Sequence, residues 1–365
     1  MKRIISIALM LMMLVPLAAC RKAPVEADAS PKPTETAADK TTAAPTDAPT
    51  AAPTDVPATE PPAHDTVEIP TEYSNTEQVL SVPVKWYTYS ELSLEPELGA
   101  EMTYIKAVPD MEIPYHSPEA FVITDDGETA IVDTAGARLC VYDTATGQLK
   151  RTVGVGRINH AAPIRVTKSD GVYYVLIPDY NTRIVAVEPD GTTREIPVPQ
   201  IEEALGYSYV SEFYVEDGRL MISLVGQSSV TTKAVSLEDG SVTSLYTTSW
   251  KLSNGIFTVT RGETTWSFPA EPSNGGRLSR IDILKVDGEG SIFVVQEVSA
   301  EDGHDVGLYQ VFDKHGRLIH CDRIDYFADS YMTVRYGRIV GPDGSLYEMY
   351  CNEDEVRIVR IVGAS

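Results

Sequence analysis

The sequence predicts an all-β domain, a β-propeller of six four-stranded blades with seven as the alternative count, and three observations predict it. Short apolar, β-branched and aromatic runs alternate with Asp-Gly turns, as in APIRVTKS-DG-VYYVLIPD and EFYVE-DG-RLMISLV, the pattern of strands joined by tight hairpins. The turn glycines Gly127, Gly171 and Gly218 lie 44 and 47 residues apart. A second turn, at Gly147, Gly191 and Gly240, follows each of them by 20 to 22 residues. Two hairpins per repeat, at a repeat length in the forties, describe one propeller blade. Glycine suits these turns because two-residue hairpin loops demand positive φ.

Three segments are expected along the chain: 1–19, 20–75 and 76–365. Lys2 and Arg3 precede an apolar run from Ile4 to Pro16, the length of a secretory signal core and too short to span a bilayer. The run closes on Leu17-Ala18-Ala19-Cys20, which resembles the lipobox of bacterial lipoproteins. That resemblance implies cleavage before Cys20 and acylation of its thiol, so that the lipid bilayer becomes a partner and the address is extracytoplasmic. Several acyl chains hold a protein far better than one, at about 0.8 kcal/mol per buried methylene. From Arg21 to Asn75 the composition turns to Thr, Ala and Pro, as in TTAAPTDAPTAAPTDVPATEPPA. Such a stretch buries too little surface to offset its conformational entropy and is expected to be a disordered tether.

The formal charge is −23, and most of it falls within 76–365. A surface this acidic repels phosphate backbones, which argues against a nucleic-acid partner. Cys140, Cys321 and Cys351 fit no zinc or redox spacing. Cys321 and Cys351 are read either as a cross-strand pair or as buried free thiols.

The repeats differ in clarity. The first three carry both turns; the fourth is marked by Gly262, the fifth by Gly288 and Gly316, the sixth by Gly344. Val82–Tyr89 and Met102–Val108 read as strands before the first full repeat, one of them placed to complete the last blade and close the ring. The helix expected is a short IEEALG between the second and third blades.

In the first blade, IVDTAGARLCVYDTATGQL is similar to the NHL and YVTN classes of β-propeller repeat. There an Asp-Thr-x-x-x-Arg segment leads into an apolar strand and an Asp-x-x-Thr-Gly turn. Asp133, Arg138, Asp143 and Gly147 match, and IPDYNTRIVAVEPDG matches with Asp179 and Arg183. Later blades depart from the pattern. The resemblance supports the fold and leaves activity open, because one fold hosts many functions.

Candidate ligand-binding residues are Asp133, Asp179, His160, Arg138 and Arg183. The Asp residues recur after equivalent strands, where they could face a cation or sugar. Their plainer role is to accept hydrogen bonds from the following turn or to pair with the Arg of the same repeat. His160 sits in a loop between the first two blades; His116, His304, His315 and His320 show no zinc-protease spacing. The loop Ala300 to Gly307 has carboxylates but not the alternate spacing of a calcium loop. No metal set and no cofactor are expected, with a divalent cation such as calcium as the alternative. Serine-hydrolase, Walker, dinucleotide and zinc-protease motifs are missing from 76–365. The expectation is therefore a monomeric binding or scaffold module for an envelope protein, peptide or glycan. The alternative is a hydrolase or lyase acting on polysaccharide or lactone with carboxylates or a cation in the central channel.

Overall fold

The computed structural model describes residues 70–106, 118–156, 163–178, 182–198, 209–225, 229–270, 277–299, 305–325 and 337–363. Strand β1 (Asn75–Tyr87) is followed by a one-turn helix α1 (Tyr89–Leu92) and by β2 (Met102–Ile105). The first complete sheet holds β3 (Ala120–Ile123), β4 (Glu128–Asp133), β5 (Arg138–Asp143) and β6 (Leu149–Gly154), paired in chain order. The second repeats that plan with β7 (Arg165–Ser169), β8 (Val172–Ile177), β9 (Arg183–Val187) and β10 (Thr193–Pro197). The third has six strands: β11 (Tyr209–Glu216), β12 (Arg219–Val225), β13 (Ser229–Ser236), β14 (Val242–Ser253), β15 (Ile256–Arg261) and β16 (Thr264–Pro269). The fourth holds β17 (Arg277–Val286), β18 (Ile292–Ser299), β19 (Asp305–Phe312) and β20 (Leu318–Asp325). The last joins β21 (Arg338–Val340), β22 (Leu346–Cys351) and β23 (Glu355–Val362) to β1 and β2.

Five apolar clusters join these sheets pairwise around a ring. Ile131 packs with Leu80, Met102 and Ile358 between the last and first sheets. Its neighbours Ala130 and Val132 pack instead with Tyr173 and Val175 of the second sheet. Tyr174 and Leu176 then face Leu220 and Ile222 of the third. Phe257, Val259 and Phe268 pack on Ile292 and Val294 of the fourth. Phe293 and Val295 meet Leu346 and Val359 of the last, and the circuit closes. Alternate residues of one strand thus enter opposite interfaces. In the middle strands β4, β5, β8 and β9 both faces are buried, so these strands read as nearly unbroken apolar runs. The arrangement is a β-propeller.

Tight turns set the register. Asp170-Gly171 and Asp217-Gly218 both have positive φ at both positions, the geometry that follows the twist of the flanking strands. In the fifth repeat the left-handed glycine is Gly290 rather than Gly288, because the turn spans Asp287 to Gly290 with Gly290 N donating to the Asp287 carbonyl at 3.1 Å.

The described residues form five sheets where the repeat count predicts six. The difference lies in β14, which runs twelve residues without a break. Its first part pairs with β13 and its end with β15. The hairpin marked by Gly262 therefore extends the third sheet instead of founding one. Its second turn, Asn254-Gly255 with both φ positive, is a two-residue hairpin signal that the repeat spacing passes over. Both early strands close the ring, β1 antiparallel to β23 and β2 parallel to β1. Helix α1 was not foreseen. Thr88 and Glu91 cap it reciprocally, two local contacts that hold a single turn. The expected helix IEEALG, the signal and the tether up to residue 69 lie outside the described residues; at the tether's end, Ser74 N donates to the Arg323 carbonyl at 2.7 Å and Asn75 already pairs with Val362 in β1.

Cys140, Cys321 and Cys351 are all buried, and none of them is in a disulfide. Burial raises the Cys140 thiol to about 12 and the Cys321 thiol to about 11.

Phe268 is fully buried and stacks on Phe312 at 4.3 Å between ring centres. Phe268→Ala is expected to cost about 3–5 kcal/mol of stability, read as a fall in the urea unfolding midpoint without a change in slope.

Candidate functional site: a charged cavity along the inner strands

Each sheet ends on one strand that borders a common cavity: β3, β7, β11, β17 and β21. Its volume is about 1940 Å³. Asp125, Asp126, Asp170, Glu216 and Asp287 reach it from the β3, β7, β11 and β17 hairpin ends, together with Lys168 and Lys285.

Arg338, at the start of β21, carries the densest network. Its Nε donates to Glu348 at 2.5 Å and its Nη1 to Glu297 at 2.8 Å, with Asp282 4.0 Å away. Arg280 donates to Asp282 at 2.8 Å, and the Tyr350 hydroxyl donates to Glu348. Glu348 stands in the middle of β22 with its side chain 4% exposed. Burial raises the Asp282 carboxyl above the ordinary range against the pull of Arg280 and Arg338.

A second network lies in the third sheet. Glu212, Ser223 and Thr232 face one another in register across β11, β12 and β13. The Ser223 hydroxyl donates to Glu212 at 2.6 Å and lies 2.9 Å from the Thr232 hydroxyl. Arg261 on β15 reaches the same carboxylate at 2.9 Å and donates to Thr248 at 2.9 Å. Strands four places apart in a flat sheet stand about 19 Å apart. The sheet must therefore curl, with Glu212 and Arg261 meeting on its concave face. Glu212, Thr248, Trp250 and Arg261 all border the cavity. The polar interior of this curl contrasts with the apolar contacts that join successive sheets.

Glu128 anchors the wall between the first two sheets. Lys150 reaches it at 2.6 Å, Lys168 at 2.7 Å and the Tyr173 hydroxyl at 2.7 Å. Burial pushes the Glu128 carboxyl up, but these three donors outweigh it and hold the group at about 2.

Asp133 and Arg138 sit away from the cavity lining. Asp133 is 0% exposed. It accepts from Arg138 Nε at 2.7 Å, Thr103 Oγ1 at 2.8 Å and the Gly136 N–H at 3.1 Å. Arg138 also donates to the carbonyls of Gly99 and Glu101 at 2.7 and 2.6 Å. The pair therefore joins the first sheet to the segment that carries β2. Arg183 pairs with Glu195 at the rim of the second sheet. Asp179, His160, His116, His304 and Cys20 lie outside the described residues. His315 is exposed, and His320 Nε2 lies 2.7 Å from Asp322. Among the described residues, no group of three or more His, Cys, Asp or Glu is placed to hold a metal ion.

Glu212, Arg261, Arg338 and Glu348 belong to no sequence motif. One signal was present: a charged residue inside an otherwise apolar strand, as in SLYEMY and SEFYV. Lys, Glu, Arg and Asp are rarely buried without a partner, and the partners come from other strands.

No protein-family model matches the chain, and no curated protein matches it in sequence. Among solved structures, it is similar to a glucose dehydrogenase at 13% identity and a TM-score of 0.41, covering 68% of this chain and 96% of that one. It is similar to a streptogramin B lyase at 11% identity and a TM-score of 0.40, covering 69% and 95%. It is similar to regucalcin, a calcium-binding protein from Agrobacterium tumefaciens, at 13% identity and a TM-score of 0.40, covering 68% and 91%. These distant likenesses carry no information on the chemistry of the cavity.

Because the Glu128 carboxyl is depressed from 4.5 to about 2, its contribution to stability is complete above its unfolded pKa and lost as pH falls through about 2. Wild-type protein is expected to lose roughly 3 kcal/mol more than Glu128→Gln between about pH 5 and about pH 2, measured by urea unfolding at each pH.

Proposed function

We propose that the protein is a lipid-anchored, extracytoplasmic binding module that presents its propeller cavity to a protein, peptide or glycan of the bacterial envelope. The anchor is acylated Cys20, and the support for it is the order of Lys2, Arg3, the apolar run and Leu-Ala-Ala-Cys. The Thr/Ala/Pro-rich segment to residue 75 is the tether that lifts the propeller from the membrane. A six-layered ring is part of this reading. The β15–β16 hairpin packs on the fourth sheet much as a blade would, although it hangs from the third.

One observation carries the binding role: a cavity of about 1940 Å³ whose lining combines guanidinium, ammonium, carboxylate and aromatic groups from all five sheets. Buried charges are costly unless paired, and each carboxylate of the Arg338 and Arg261 networks has a cationic partner. Paired groups fixed by several strands present donors and acceptors in set directions, which suits recognition of a polar ligand.

Cys20→Ser is expected to move the protein from the membrane fraction to the soluble one; retention after a high-salt wash would defeat the anchor. The binding role is tested with full-length bait on envelope extract beside Arg280→Glu. Arg280 borders the cavity with a side chain 51% exposed, so the variant reverses a charge without emptying the core. A component held by the wild type and lost with Arg280→Glu supports the reading. Capture of the same components by both would overturn it.

A further inference from the structure

We propose that Tyr73 and Ser74, the last residues before β1, are a strap that ties the edge of the fourth sheet to the last sheet and guards the ladder closing the ring. β20 is the outer edge of its sheet, paired there with β19 alone. Ser74 N donates to the Arg323 carbonyl on β20 at 2.7 Å, and Ser74 Oγ donates to Asp322 Oδ1 at 2.9 Å. The Arg323 guanidinium lies over the Tyr73 ring, 5.0 Å from its centre. The next residue, Asn75, already pairs with Val362 of β23. Two consecutive residues thus hold β20, and the third belongs to the last sheet.

Asp322 stands where strap, β20 and the end of β23 meet. It is buried. One of its oxygens accepts from Ser74, and the other lies 2.7 Å from His320 Nε2. A Cβ at Gly363, just past β23, would lie 3.6 Å from the oxygen that Ser74 holds. Burial pushes the Asp322 carboxyl up, but the bonds from His320 and Ser74 outweigh it and keep the group below the ordinary range. A buried acceptor that loses its donor is costly, so the carboxylate favours the fastened strap.

The joint that the strap crosses is only partly filled by side chains. Phe293 and Val295 meet Leu346 and Val359 within it. Beside them a hollow of about 430 Å³ opens between β20 and β23, bordered by Ile319, Asp322, Arg360 and Gly363. The strap binds one wall of this hollow through Asp322 and continues into the strand that pairs with the other.

The first rungs of β1 explain why the ladder needs a guard. Asn75, Thr76, Glu77 and Gln78 are all exposed, so backbone bonds hold these rungs without a buried side chain. The register shifts between Gln78 and Leu80, and full burial begins at Leu80. Exposed rungs with few apolar contacts open at low free energy. The two chains of the ladder leave it at the same end, where Asn75 stands opposite Val362. Tension between the segment before β1 and the end of the chain therefore bears on that rung and unzips the ladder one rung at a time. With the strap fastened, the same pull must first part Ser74 from β20, and the load is shared by two sheets. This device needs neither a lipid anchor nor a ligand in the cavity.

The test compares the full chain with Ser74→Pro, which removes both the N–H and the hydroxyl, and with Tyr73→Ala/Ser74→Ala, which keeps the N–H. Amide hydrogen exchange over Asn75 to Gln78 is expected to quicken by about tenfold or more in Ser74→Pro, equivalent to about 1.4 kcal/mol of easier opening. A smaller acceleration is expected in the double-alanine variant. Exchange over Leu80 to Val82 and in the other four sheets should stay at the wild-type rate. In an optical trap that pulls on the segment before residue 70 and on residue 365, the first opening of Ser74→Pro should come at a lower force than that of the wild type. Unchanged exchange at the first rungs, or an unchanged first opening force, would overturn the proposal. So would an acceleration spread evenly over all five sheets, because a strap acts on one joint. Should Ser74→Pro fail to fold, the double-alanine variant decides by the same two measurements.

Discussion

The antiparallel ladder between β1 and β23 is the constraint on which the ring depends. Residues Asn75 to Pro83 pair with Val362 to Glu355, so the first strand of the domain completes its last sheet. Without that pairing β23 would leave an open edge, a template for aggregation, and the contact between the last and first sheets would lose Leu80 and Val82. The ladder joins positions far apart in the chain; the Ser81–Glu355 side-chain bond spans 274 residues. Such a closure must overcome a large loss of chain entropy before it contributes stability. Asp133 and Arg138 add a second fastening. From a buried pair they hold Thr103, Gly99 and Glu101 against the first sheet through charge-assisted hydrogen bonds.

Ring closure makes the cavity possible, and the cavity places the charges. Five inner strands that meet around an axis leave space between their edges, and side chains there have neither full hydration nor full burial. Arg338 shows the outcome. It takes one carboxylate partner, Glu348, from its own ladder across β21 and β22, and another, Glu297, from the fourth sheet, with which β21 shares no ladder. The curled third sheet differs in origin. There β14 pairs with β13 along its first part and with β15 along its end, which places the β15–β16 hairpin in the same sheet as β11.

Asp133 and Arg138 stood out because they recur within a local pattern, and that pattern accounts for their mutual pair and the Gly136 turn, while their bonds to Thr103, Gly99 and Glu101 reach back 30 to 39 residues. Glu212, Arg261, Arg338 and Glu348 carry no repeat signature, yet they meet at the cavity. A local pattern arises when one element needs the same turn again and again. A site assembled across strands needs no such repetition, because its members answer to neighbours that lie tens or hundreds of residues away.

The amino-acid sequence by itself determined the strands, the tight Asp-Gly reversals and the both-faces-buried character of the sheets, because each depends on residues within a few positions of one another. Apolar alternation and positive-φ glycine act within a single hairpin, and a reader of the chain can see them. Tertiary structure alone decided that β1 and β2 both join the last sheet, that β14 carries the third sheet into a curl, and which carboxylates Arg261 and Arg338 would find. Those outcomes depend on which edges and charges meet once the ring has closed. Pairing energy between distant segments leaves no trace in the spacing of residues along either one.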